Sequence, residues 1–220
     1  MDRSEVSVSK DDNNITYNKL LVLFLIGCVI GVLLEGFFCL ITKGHWESHV
    51  VSVFFPLNIL YGSGAILFYV GATKLSHQSL SNKVVIMTTI ATLLELFCGL
   101  FLKYKLGMKA WSYANRVLNY QGIICLEFSL AWGIAALVFC KQLPNINKFL
   151  DKFDKRKYEI IYIVITCLLV VDLFLTGASI IRWSERHYGI EATNKFKQVI
   201  DLELSDKWMQ NRFIEWRFIR

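Results

Sequence analysis

Four acidic residues stand inside stretches that are otherwise apolar: Glu35, Glu95, Glu127 and Asp172. A carboxylate at the centre of a membrane helix costs about 2.5–3.5 kcal/mol, so four left without partners would cost on the order of 10 kcal/mol. All 24 Lys and Arg fall outside those stretches, so no base within them can pair with the acids. Such groups are protonated, hydrogen-bonded to hydroxyl, amide or indole donors, or neutralised by a cation or by a loop base such as Lys103 or Arg116 reaching in. The chemistry on offer is the handling of protons or cations. Spacing says which acids face inward. Gly27, Gly31 and Glu35, each four residues apart, share one helix face; Thr88, Thr92, Glu95 and Gly99, at i, i+4, i+7 and i+11, form another stripe, and Asp172, Thr176 and Ser179 share a third face. Glu35, Glu95 and Asp172 are therefore expected to line one central polar cavity. Tyr61, Thr92, Trp111, Tyr113 and Asn119 are the hydrogen-bonding side chains expected around them. Glu127 lies off the small-residue face of its own segment and is left out.

The elements that must position these residues are membrane helices. Of 220 residues, 55% are hydrophobic and 19% charged, with a mean hydropathy of +0.44. A helix crossing lipid needs roughly 20 predominantly apolar residues, and five such runs are read at about 20–41, 50–73, 84–102, 118–140 and 159–181. The fold class expected is all-α: a polytopic bundle over 18–181 between a flexible polar stretch at 1–17 and an amphipathic tail at 182–220. Within the second run, Pro56 and the Tyr61-Gly62-Ser63-Gly64 segment weaken the helix, leaving a broken helix or a kink as equal readings. An interfacial segment carrying Lys103, Lys105, Lys109 and Arg116 among aromatic residues separates the third and fourth runs. Pro144-Asn145 is expected to end the fourth run. The tail reads as one or two short helices lying on the membrane surface or against the bundle.

Several functions are set aside. The net charge of +6 reads as loop bases facing anionic lipid, and no nucleic-acid motif accompanies it. The six cysteines form no C-x-x-C pair and read as small buried hydrophobes. His45 and His49, four apart in a short loop, read as solvated, so no metal and no cofactor is expected. Basic residues are nearly balanced between alternate loops, so charge leaves the orientation open.

The series GCVIGVLLEG, P-x4-YGSGA, TLLE, WSYA, NYQGIICL, S-x-x-WG and a last span with an Asp resembles a bacterial family, the ABC-transporter type IV family of permease-like, multi-span membrane proteins. The resemblance covers nearly the whole chain after its first twenty residues. Ser112 and Ile123 depart from it, standing where the family commonly has Asp and Arg. The resemblance implies a permease-like protein of the cell membrane, surrounded by lipid, with a separate ATPase subunit or a second copy of itself as partner. The chain has no G-x-x-x-x-G-K-[ST] of its own. Three readings stay open: a transport component with a central acidic site, an intramembrane enzyme acting on a lipid or lipid-linked substrate, and an accessory or assembly factor. No catalytic residue is assigned.

Overall fold

The computed structural model describes residues 15–219; the polar stretch expected to be flexible falls largely outside them. The described residues form helices α1 (Tyr17–Lys43), α2 (Ile59–Lys74), α3 (Leu80–Lys105), α4 (Leu126–Leu150), α5 (Glu159–His187), α6 (Lys195–Glu203) and α7 (Asp206–Arg212). Two short strands, β1 (Met108–Lys109) and β2 (Arg217–Phe218), pair antiparallel. The all-α expectation holds. By length and composition, α1, α3, α4 and α5 are long and apolar enough to cross a membrane. Their outer faces carry exposed large apolar side chains such as Leu34, Phe97, Ile134 and Val170, as a lipid-facing surface requires.

Local sequence sets the helix ends. The Thr16 side chain accepts from the Lys19 N–H at the start of α1, and Gly44, at φ +76°, closes its last turn onto the Leu40 carbonyl. The helix expected over 50–73 starts only at Ile59. Pro56 has no N–H to give, Asn58 caps the Leu60 N–H at 3.2 Å, and residues 50–58 form an irregular loop instead. The glycines of the YGSG segment lie within regular helix; the break precedes them. At 16 residues, α2 is shorter than the other long helices. The helix expected from 118 starts at Leu126, because Leu118, Gln121 and Gly122 all take positive φ in a tight turn. Pro144 does not end α4, which continues to Leu150. Leu143, Ile146 and Leu150 pack with Leu23 and Tyr69, and that burial outweighs the hydrogen bond proline forfeits.

Close approach of α1 and α2 depends on missing side chains. A Cβ on Gly27 would stand 2.8 Å from the Ala65 Cβ, and one on Gly62 would meet the Cys28 sulfur. The tail packs against one end of the bundle rather than lying apart from it. Ile200, Leu204, Met209, Phe213 and Trp216 join Val53, Leu106, Met108, Ile180 and Trp183 in a buried cluster. Outside that cluster, Arg182 grips both oxygens of Asp201 at 2.8 and 2.9 Å, and Arg186 reaches Asp201 and Asp206. Burial alone would raise the Asp201 pKa; the hydrogen bonds from the two guanidinium groups outweigh it and hold the carboxyl below its ordinary value.

Candidate functional site

A cavity of about 1150 Å³ runs between α1, α2, α3, α4 and α5, and residues 214–217 of the tail also line it. Its inner part is mostly apolar and aromatic. Glu35 from α1 and Glu95 from α3 line it, as do Glu47 and Glu215 from outside the long helices. The Tyr61 hydroxyl donates to Glu35 Oε1 at 2.6 Å. Gly31 makes this reach possible, since a Cβ there would stand 2.4 Å from the Tyr61 ring. Glu95 is 3% exposed and accepts two hydrogen bonds, from the Tyr113 hydroxyl and from Trp132 Nε1, each at 2.9 Å. The Tyr61 and Trp132 rings lie 5.5 Å apart, and Tyr113 stacks on Phe128 at 4.4 Å. Among the described residues neither Glu35 nor Glu95 has an ion-pair partner within 4.0 Å. The buried stripe of α3 is Met87, Ala91, Glu95 and Gly99, one position away from the threonines that the sequence suggested.

The segment joining α3 to α4 folds back to deliver Tyr113. The Tyr113 N–H bonds the Gly122 carbonyl at 2.7 Å, and Trp111 Nε1 bonds the Ile123 carbonyl at 2.8 Å. Trp111 and Ser112 line the cavity. Ile123 packs onto Gly99, an apolar contact.

Three expected site residues lie elsewhere. Asn119 is exposed and staples the turn, donating to the Ala114 and Arg116 carbonyls and accepting from the Gly122 N–H; these bonds occupy its side chain away from the cavity lining. Thr92, one residue off the buried stripe, is not a lining residue, and its buried hydroxyl has no hydrogen-bond partner among the described residues. Asp172 is buried at 2% exposure, outside the cavity lining. It holds the loop before α2 instead: it accepts from the Phe54 N–H at 3.0 Å and from the Ser52 hydroxyl. One turn on, Thr176 accepts from the Val53 N–H at 2.9 Å. Arg212 of α7 clasps the same loop through the Ser52 and Phe55 carbonyls. Glu127, set aside in the sequence, is exposed and pairs with Arg116 at 3.1 Å.

The mouth of the cavity holds a second polar group that the sequence reading missed. Cys39 lies one turn beyond Glu35, Glu47 and His49 stand beside its thiol, and Glu215 stands beside His49. His49, expected to be solvated, turns inward at φ +44°, a backbone region costly for a non-glycine residue. Its N–H donates to Glu215 Oε1 at 3.1 Å, and its carbonyl accepts from Asn58 at 2.9 Å. Trp46 covers Gly36, where any Cβ would collide with the indole, and so turns the loop back over α1. Burial favours a neutral Glu47, but hydrogen bonds from Lys43, His45 and Cys39 prevail and hold its pKa down at about 2. Trp132 was also missed as a site residue; its place was signalled only by an indole in the middle of an apolar run.

The family model described as Putative ABC-transporter type IV matches residues 22–177. The chain belongs to that family. The match takes in Glu35, Glu95, both tyrosines and the loop before α2, and it ends before the tail. No curated protein and no solved structure gives a significant match. Membership together with four long apolar helices marks a membrane protein related to transport.

Proposed function

We propose that this type IV family protein is a multi-pass permease-like component of the cell membrane, and that its central cavity binds a cationic group carried on an apolar body. One observation carries this reading: Glu35 and Glu95 enter the same cavity, hydrogen-bonded to neutral donors and without ion-pair partners among the described residues. Two carboxylates in an apolar setting favour a positive charge, whether a proton or a cation. The faces of Tyr61, Tyr113 and Trp132 beside them suit an organic cation, which an aromatic ring attracts by about 0.5–2 kcal/mol. The Asp172 arrangement is a loop anchor and lies outside this machinery. If transport is driven by ATP, hydrolysis belongs to a separate subunit.

The test is equilibrium binding of tetraphenylphosphonium, a hydrophobic cation, to the full chain in lipid nanodiscs. Saturable binding is expected, weakened at least tenfold by Glu35→Gln or Glu95→Gln, since each removes one of the two carboxyl groups that can face the cation in a low-dielectric site. Equal binding by the wild type and the doubly substituted protein would overturn the proposal.

A further inference from the structure

The geometry points to a transition-metal site of the zinc class at the cavity mouth, built from Cys39, His49, Glu47 and Glu35, with Glu215 of the tail beside it. Three donor atoms already stand together: Cys39 Sγ lies 3.3 Å from His49 Nε2 and 3.5 Å from Glu47 Oε2, and Nε2 lies 3.3 Å from Oε2. With zinc bonds of about 2.3 Å to sulfur and about 2.0–2.2 Å to nitrogen and oxygen, one face of a tetrahedron has edges of about 3.3–3.6 Å. The observed triangle fits that face. A Glu35 oxygen lies within 4.8 Å of both the thiol and the imidazole and can supply the fourth corner. Thiol, imidazole and carboxylate together suit zinc or cobalt better than the hard cations magnesium and calcium.

Two further features point the same way. The second oxygen of Glu215 is buried and accepts from no donor among the described residues, while its first holds the His49 N–H. His49 is kept in a strained conformation that aims its ring at Cys39. Lys43 now occupies Glu47 Oε2, so a divalent ion would displace that ammonium. It would also take the place of the thiol proton, which is released as the thiolate binds.

This site shares Glu35 with the cation reading of the inner cavity but not Glu95, so a Glu95 variant separates the two. The experiment is titration of Co²⁺ into the full chain, purified in detergent and stripped with chelator, with Zn²⁺ added in competition. One equivalent is expected, with a thiolate-to-cobalt charge-transfer band that Zn²⁺ abolishes. Cys39→Ser should remove the band, and His49→Ala should weaken Zn²⁺ binding at least tenfold. Zn²⁺ should raise the melting temperature of the wild type and leave that of Cys39→Ser unchanged, a comparison that also shows the variant is folded without metal. Glu95→Gln should keep band and stoichiometry even where tetraphenylphosphonium binding is lost. Absence of the band in the wild type, or its persistence in Cys39→Ser through another of the six cysteines, would overturn the site.

Discussion

At the scale of single residues, the acids divide by what their oxygens touch. Glu95 takes its hydrogen bonds from side chains that line a cavity, whereas Asp172 takes one of its two from the backbone of a loop. Asp172 is thus a fastener. Asp172→Ala removes the acceptor of the part-buried Phe54 N–H and of the buried Ser52 hydroxyl, and hydrogen bonds to charged groups contribute about 1.5–3 kcal/mol each. A loss of about 3 kcal/mol is expected in thermal or denaturant unfolding, with tetraphenylphosphonium affinity changed less than about twofold where the protein stays folded. Asp172→Asn keeps one acceptor and should lose less than half as much. Unchanged stability with abolished binding would instead place Asp172 beside Glu35 and Glu95. The two sorts of acid look alike in the sequence because both sit among apolar residues. What separates them is a loop 118 residues away in the chain, and no local periodicity reports it.

At the scale of elements, the α1–α2 contact decides whether the site forms. Gly31→Ala would drive a methyl into the Tyr61 ring; overpacking of this kind costs about 1–3 kcal/mol. The displaced Tyr61 should release Glu35, so the alanine variant should bind tetraphenylphosphonium more weakly. In a Tyr61→Phe background that further loss should vanish while the drop in melting temperature persists, a double-mutant comparison that separates reach from packing. The glycines and Glu35 were legible because a four-residue spacing is local to one helix. Other features depended on partners distant in sequence. Pro144 stays within α4 because Leu23 and Tyr69 pack on the turns around it, and α2 starts late because Asn58 and Pro56 favour a capped loop that Arg212 then holds. His49 could not be read at all: its strained backbone is fixed by Glu215, 166 residues further on.

At the scale of the whole molecule, the tail is a lid on one end of the bundle, joined by an apolar cluster, the β1–β2 pair and the Arg182–Asp201–Arg186 network. The folded Asp201 has a pKa below its ordinary value. Its contribution is therefore complete above the ordinary aspartate range and is lost as pH falls through the lowered folded value. Protection of the α6 and α7 amides, with the intrinsic pH dependence of exchange divided out, should be complete above the ordinary aspartate range and fall as pH drops through the lowered Asp201 value, with little change in the centre of α5. Arg182→Gln should move that onset to higher pH, because Asp201 then protonates sooner. Equal protection of α6 above and below that value would show that the apolar cluster alone holds the lid.

The clasp on the loop before α2 also imposes an order on synthesis. Arg212 is translated 160 residues after Ser52, whose carbonyl it holds. At about 5–20 residues per second, that interval is roughly 8–30 seconds. Asp172 and Thr176 of α5 are translated first and can fasten the loop before Arg212 exists; until the tail follows, the loop lacks its Arg212 clasp and the cleft beside Cys39 lacks the tail. Whatever oxidants, metals or chaperones the nascent chain meets in that interval reach a cleft that the finished protein narrows.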